Sequence, residues 1–234
     1  MPHKRVAVVA AMRRELAPLL RGIRPKRSDG VEFFELEAAV VGIGGIGRAA
    51  AARTAEAAVA RYMPTALVSA GIAGALAATL KVGDVVRARD VVDAGSGARY
   101  TASEGEVTVL TVASVSGPAE KRTLAERWKA DVVDMEAAAI ASVAEQHRLD
   151  FAAIKAISDE SGFVMPPVGE FVDQAGKFAT ARFAVYVAFR PKWWRSVQQL
   201  GANSRLAAVN LSVALKHLID ERSAIAPEEK VPGA

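Results

Sequence analysis

The sequence predicts an α/β protein, a single three-layer αβα domain built round a central mixed β-sheet. Short continuous runs of apolar, often β-branched residues, such as Val6–Ala10 and residues 151–157, have the pattern of strands buried on both faces. Alanine-rich stretches of helical length follow some of these runs, around residues 48–62 and at residues 137–147. The chain has 234 residues, of which 51% are hydrophobic, enough for one substantial core and without a compositional break that marks a second domain. Residues 1–190 are read as the body, and residues 191–234 as a C-terminal amphipathic helix and tail of the same domain.

Taken in order, residues 6–10 form the first strand, and residues 13–20 fit a short helix behind it. Glu15 then lies in the turn at a strand's carboxyl end or in the first helical turn, where an acid also complements the helix dipole. Residues 25–30 are polar and turn-rich, and residues 33–41 read as the next strand. Gly42-Ile43-Gly44-Gly45-Ile46-Gly47 matches GxGxxG before the helix that runs to Tyr62. A dinucleotide fingerprint also needs an acid about twenty residues on, at the end of the following strand. No Asp or Glu lies between Ala57 and Val82, so NAD and FAD are not expected. The glycines are read instead as letting the backbone approach a neighbouring strand or an anion. Residues 67–70 form a buried strand with Gly71-Ile72-Ala73-Gly74 as its exit, where main-chain N–H groups can meet a ribose, a water or a phosphate. Residues 81–88 start another strand, residues 90–106 form a short loop, residues 107–114 a further strand, and residues 118–130 a helix opened by proline.

Residues 132–159 concentrate the chemistry. Asp134, Met135 and Glu136 close one short apolar strand and open a helix, and Asp159 closes the next strand. In an open α/β sheet the carboxyl ends of strands border the ligand crevice, so these acids can face one ligand. Helix or turn capping is the alternative for Asp134 and Asp159. His147 is read as a cation at a helix end. Residues 160–169 form a loop with Pro166-Pro167, and a helix is expected over residues 176–189. Beyond Pro191, Val197, Leu200, Ser204, Ala207, Leu211, Ala214 and Leu218 recur at alternating spacings of three and four, an amphipathic helix. Trp193 and Trp194, among Arg190, Lys192 and Arg195, suit a membrane interface or a lipid tail, with packing on the core or on a second subunit as the alternative. The chain from residue 224 onward reads as frayed.

Composition narrows the classes. With no cysteine, disulfides, thiol nucleophiles and thiolate-bound metals are excluded. His3, His147 and His217 lie far apart, so no metal site is expected. A net charge of +4 is read as a solvated basic surface rather than a nucleic-acid footprint. The apolar run after His3, Lys4 and Arg5 ends at Arg13, which argues against an export signal, and residues 66–80 are too short and glycine-interrupted to span a bilayer. A cytoplasmic protein is expected, with peripheral contact at the inner membrane face left open.

Asp134-Met135-Glu136-Ala137 followed by Ala156-Ile157-Ser158-Asp159 resembles the nucleoside phosphorylase and nucleosidase family, as do Ala10-Ala11-Met12-Arg13-Arg14-Glu15 and Ala70-Gly71-Ile72-Ala73-Gly74 with Lys81-Val82-Gly83-Asp84. The resemblance spans residues 5 to about 190. Within the family, Gly71-Ile72-Ala73-Gly74, Pro118-Ala119-Glu120-Lys121, Met165-Pro166-Pro167 and residues 190–215 look most like the hopanoid-associated phosphorylases, which release adenine from adenosylhopane.

That resemblance implies cleavage of an N-glycosidic bond in a 5′-substituted adenosine, with adenosylhopane as leading substrate and hydrolysis of methylthioadenosine or S-adenosylhomocysteine as the alternative. It implies Asp159 as general acid toward the purine ring nitrogen N7, its carboxyl kept protonated by an apolar setting, with Ser158 beside it. Glu136 would accept the ribose hydroxyls, Met135 would pack on the sugar, and Met12 and Ile72 would line the substrate. Glu15 matches the residue that activates water, whereas Arg14, Gly44, Gly71 and Lys155 are candidates for phosphate or water, so the nucleophile stays open. Several positions depart from the family pattern. Ile72 replaces a hydroxyl residue, Lys155 replaces an arginine and loses its two-pronged grip, and Val115 or Ser116 stands where relatives place a base-stacking aromatic. Residues 90–106 are shorter than the nucleosidases' closing loop, which implies a more open pocket. No cofactor is implied, inorganic phosphate is a candidate co-substrate, and a homodimer or larger homo-oligomer is expected. A non-catalytic nucleoside or lipid binding module is the reading from a different class.

Overall fold

The structure, a computed structural model, describes residues 6–102, 105–114 and 117–224. Its centre is strand β5 (Ala66–Ala75), whose sequence ALVSAGIAGA is almost free of large side chains. Both edges of β5 are paired by backbone hydrogen bonds, and its small side chains leave room above and below the sheet. One edge takes β1 (Val6–Ala10) in parallel along residues 66–69 and then β9 (Val132–Asp134) antiparallel at Gly74 and Ala75. The other takes β10 (Asp150–Asp159) in parallel over its whole length.

From β10 the sheet continues through β6 (Val85–Asp93) and β8 (Val107–Thr111) to β9. Since β9 and β10 both pair with β5, these five strands close on themselves. The remaining strands extend from β1 as an open wing, β4 (Ala39–Ile43), β3 (Val31–Glu35) and β2 (Lys26–Ser28), and β7 (Arg99–Thr101) pairs with β6. The sheet is mixed, as the sequence predicts.

Two cores cover the faces of this sheet. On one, α1 (Arg48–Tyr62) and α3 (Ala137–His147) pack alanine faces, including Ala51, Ala55, Ala141 and Ala144, against the strands. On the other, Leu16 and Leu20 meet Leu211, Leu215 and Leu218 of α5 (Trp194–Ala224). A third cluster lies beneath α2 (Pro118–Trp128). The small helix α4 (Thr180–Ala188) buries none of its residues. No described helix is long and apolar enough to cross a membrane.

The structure corrects several sequence expectations. Residues 33–41 are two antiparallel strands, because residues 36–38 turn the chain and Leu36 N–H donates to Ala39 O at 2.9 Å without help from Gly or Pro. Residues 13–20 are not a regular helix but a single 3-10 turn, Arg13–Leu16, followed by irregular turns. Gly71-Ile72-Ala73-Gly74 is not a strand exit: β5 runs straight through it, and its backbone is occupied by pairing to β10. Residues 81–84 are a turn rather than a strand start, with Lys81 N–H donating to the Asp84 carboxylate at 2.8 Å. Asp90 to Asp93 complete β6 and β7 pairs back onto it, so this stretch is sheet and not an open loop. The helix expected over residues 176–189 starts only at Thr180. Val115, Ser116, His3 and residues 225–234 lie outside the described residues.

The amphipathic C-terminal helix has the expected inward positions at Ala207, Leu211 and Leu218, with Leu215 and Ile219 beside them. Its amino-terminal half is only partly covered. Leu211 is fully buried against the β1–β5–β10 face. Leu211→Ala is therefore expected to cost about 2–5 kcal/mol. If residues 191–224 form one cooperative unit with the body, a single denaturant transition will shift to lower midpoint; a separate early transition would show the helix to be an appendage.

Candidate active site

The carboxyl ends of β1, β5, β9 and β10 converge on one cavity of about 180 Å³. The turn after β1 contributes Met12, Arg14 and Glu15, and β5 contributes Ile72, Ala73 and Gly74. The β9–α3 junction adds Asp134, Met135 and Glu136, and β10 adds Ser158 and Asp159. Met165, Val168 and Phe178 form an apolar wall, completed by Leu200 of α5. Most of the residues singled out in the sequence thus share one chamber, although they come from four strand ends.

Glu15 is buried, and two main-chain bonds fix its turn. Met12 N–H donates to its Oε2 at 3.0 Å, and Glu15 N–H donates to Met12 O at 3.0 Å. Burial pushes its carboxyl above the usual range, with the Met12 N–H opposing. The capping role and the site position coincide here. Glu136 turns into the same region, accepting from Gly47 N–H at 2.7 Å on Oε1 and from Met135 N–H at 3.3 Å on Oε2. Burial, reinforced by the neighbouring Asp134 charge, pushes its carboxyl up to about 7. Between these two acids and Gly71 lies a second space of about 10 Å³, close to the volume of one water probe.

Asp134 is a structural hub. Its Oδ1 accepts from Thr111 Oγ1 at 2.7 Å, and its Oδ2 caps α3 by accepting Ala137 N–H at 2.9 Å. The Lys155 ammonium completes the set 2.7 Å from Oδ2. Lys155 is 1% exposed and also donates to Ser69 Oγ at 3.0 Å. The sequence placed Lys155 among the residues for phosphate or water; the structure puts it behind the cavity floor, committed to Asp134 and Ser69.

Asp159 also differs from expectation. The sequence argument placed its carboxyl alone in apolar surroundings; instead the buried Lys121 ammonium pairs with Oδ2, and Ser158 Oγ donates to Oδ1 at 2.7 Å. Lys121 comes from the first turn of α2 and enters the sequence reading only as part of a subfamily motif. The only local signal is weak: a cation in a helix's first turn opposes the helix dipole, by about 0.3–1 kcal/mol. Gly44 is also placed elsewhere: a Cβ there would lie 1.7 Å from Thr54 Oγ1, so it serves close packing of the chain on α1. Arg14 reaches the cavity rim, its guanidinium 5.4 Å from the centre of the Phe178 ring, and it shares with Gly44 a separate outer groove. His147 pairs with Glu56 at 2.9 Å on the surface, away from this chamber.

Removing one partner of a buried ion pair strands the other charge. Lys155→Met is expected to lose about 3–5 kcal/mol of stability. Denaturant unfolding checks this, and a loss below about 1 kcal/mol, the scale of an exposed pair, would show that Asp134 does not depend on Lys155.

With this geometry in view, the likeness to known proteins is informative. The family model of the phosphorylase superfamily matches residues 5–113 and 102–189. The 5′-methylthioadenosine/S-adenosylhomocysteine nucleosidase of Bacillus subtilis is 30% identical over 200 residues, 68% of this chain and 87% of its own length. The enzyme of the same name from Shewanella piezotolerans is 26% identical over 199 residues, covering 67% and 86% of the two chains. Among solved structures, futalosine hydrolase of Helicobacter pylori superposes with a TM-score of 0.71 at 18% identity, covering 94% of this chain and 98% of its own. At that identity the superposition bears on the fold alone, and it agrees with the mixed α/β domain described above. The narrower likeness to hopanoid-associated phosphorylases has no counterpart in these relatives. The chain belongs to the phosphorylase superfamily and is an enzyme of its nucleoside-cleaving kind.

Proposed function

We propose that the protein is a nucleosidase that hydrolyses the N-glycosidic bond of a 5′-substituted adenosine of the methylthioadenosine or S-adenosylhomocysteine type, releasing adenine. The observation that carries the choice of water is the space of about 10 Å³ bounded by Glu15, Gly71 and Glu136. It suits one water molecule, and its two acids would repel a phosphate anion. Lys155, the cation behind that floor, is already committed to Asp134. This reading replaces adenosylhopane, the leading substrate expected from sequence, and chooses a nucleophile that the sequence leaves open; the names of the curated relatives support the change of substrate.

The reaction distributes as follows. As the C1′–N9 bond lengthens, its electron pair moves to the purine and positive charge grows on the sugar. Asp159 delivers a proton to the base, Glu15 takes a proton from the attacking water, and Glu136 accepts hydrogen bonds from the ribose hydroxyls. Met135 and Met12 pack on the sugar, Ile72 lines the chamber beside them, and Ser158 orients the Asp159 carboxylate.

Met165, Val168, Phe178 and Leu200 favour an apolar 5′ group. That wall also keeps a bulkier lipid-like 5′ group as a second reading. Val185 of α4, Phe189 just after it and Trp194 at the start of α5 are 60%, 81% and 54% accessible, and we assign this face to a second copy of the chain, with a membrane surface as the alternative occupant. Light scattering with and without lipid vesicles separates the two. Action on a small nucleoside without a cofactor, in the cytoplasm, goes with the nucleosidase reading.

Adenine release from methylthioadenosine, followed by chromatography, is expected to be the same with and without phosphate. A strict phosphate requirement would overturn the choice of water. Glu15→Gln and Asp159→Asn should each lower kcat by about 10²–10⁴-fold with little change in KM. The pH profile should show the same chemistry. Glu15 must be ionised to act as a base and Glu136 to accept hydroxyls, and burial raises both carboxyls, Glu136 to about 7. Activity is therefore expected to fall as pH drops through neutrality rather than only in the ordinary carboxylate range.

A further inference from the structure

We propose that Lys121 works through Asp159 as a positioning residue, so that the ammonium–carboxylate pair, not an isolated carboxyl, is the acid that protonates the leaving base. The inference rests on the nucleosidase reading.

Three elements converge to make this pair. Lys121 reaches in from the first turn of α2 and is 1% exposed, Asp159 ends β10, and Gly74 of β5 lies against both. A Cβ on Gly74 would fall 3.0 Å from Asp159 Oδ2 and 3.0 Å from Lys121 Nζ, so a side chain at that position would press on both partners. The ammonium also donates to Glu160 O at 3.0 Å and to Asp159 O at 3.4 Å, which fixes the end of β10 as well as its side chain. Both partners line the cavity. Buried ion pairs contribute little net stability, because desolvation of two charges offsets their attraction. A cation in a helix's first turn is disfavoured further by the dipole. A pair with these costs, facing the substrate chamber, therefore points to chemistry.

The other charged groups near it are accounted for. Asp134 is paired with Lys155, the Glu160 carboxylate lies 3.6 Å from Lys81, and Glu15, Glu136 and Arg14 border the sugar side and rim of the same chamber. On α2 itself Glu120 and Arg122 are exposed.

In the step itself the glycosidic electron pair passes to the purine, whose ring nitrogen takes a proton from Asp159 while Oδ2 takes one from the Lys121 ammonium. The water oxygen bonds to C1′ and its proton goes to Glu15. The pair is left as carboxylate and neutral amine, and the amine regains a proton from solvent when the products leave.

The test is the pH dependence of kcat/KM for adenine release from methylthioadenosine by wild type, Lys121→Met and Lys121→Arg. If the pair is the acid, the alkaline limb in wild type follows the shared proton, and removing the amine leaves Asp159 to lose its own. Lys121→Met should then lower kcat by about 10²-fold or more and move the alkaline limb to lower pH by about one unit or more, with the acid limb in place. Lys121→Arg keeps the positive charge, but a guanidinium does not give up its proton, so it should not restore the wild-type rate, which separates proton supply from charge alone. Should Lys121→Met not fold, Lys121→Gln keeps a polar side chain beside Asp159 Oδ2 without a transferable ammonium proton, and the same downward movement of the alkaline limb is expected. A uniform fall in rate with unmoved limbs would make Lys121 structural and overturn the proposal. Absence of adenine release by the wild type would overturn the nucleosidase reading and this inference with it.

Discussion

The structure depends on how it neutralises acids at the ends of buried strands. β6, β9 and β10 end in Asp93, Asp134 and Asp159, each nearly fully buried. A buried carboxylate is costly unless it takes up a proton or pairs with a cation, and these three pair. Each finds one from another element: Arg48 at the start of α1 for Asp93, Lys155 within β10 for Asp134, and Lys121 in α2 for Asp159. The Arg48 guanidinium holds the Asp93 carboxyl well below the usual carboxylate range. These pairs pin two helices and a strand to the rim of the sheet, and the rim is where the cavity forms.

Small residues make that rim possible. β5 has neighbours on both edges along most of its length, and its Ala and Gly positions leave room on the faces of the sheet for the side chains around them, as at Gly74 beside Lys121 and Asp159. Closure of five strands on themselves brings Asp159 and Asp134, distant along an open sheet, to one chamber. A larger side chain at Gly74 would displace an ion pair, and one at Gly44 would meet Thr54. The glycines singled out by the GxGxxG spacing therefore act through close packing, with one main-chain N–H, that of Gly47, turned to Glu136.

The sequence reveals the strands, the alanine-rich helices and the acids at strand ends, because these follow from local pattern. Helix Ala137–His147 has the same bounds in sequence and structure. Local pattern could not show that β5 continues through Gly71 and Gly74, since glycine normally marks an exit and only the pairing partner β10 makes it strand. Nor could it show the partners of charges. Lys155 in an apolar strand reads as a ligand group until Asp134, 21 positions away, takes it. Lys121 and Asp159 are 38 positions apart, and only the closed sheet brings them together. The apolar wall from Met165 to Leu200 was equally hidden, because it joins a loop to a helix that looks, by its periodicity, committed to the core.

The distribution of paired and unpaired acids gives the chamber a direction. At one end lie Glu15 and Glu136, proposed to face the sugar, which have no ion pair among the described residues and whose carboxyls burial pushes upward. At the other lies Asp159, proposed to face the base, with the Lys121 ammonium behind it. On the proposed reading, glycosidic cleavage creates positive charge on the ribose and negative charge on the purine; the two acids stabilise the first, and a proton delivered through the Asp159–Lys121 pair, neutral as a whole, removes the second. A phosphate nucleophile would bring further negative charge to the end that already carries two acids, whereas water brings none and leaves a proton that Glu15 can take. The same burial that raises Glu15 makes it a stronger base for that proton, so its folding cost and its proposed chemical use have one physical cause.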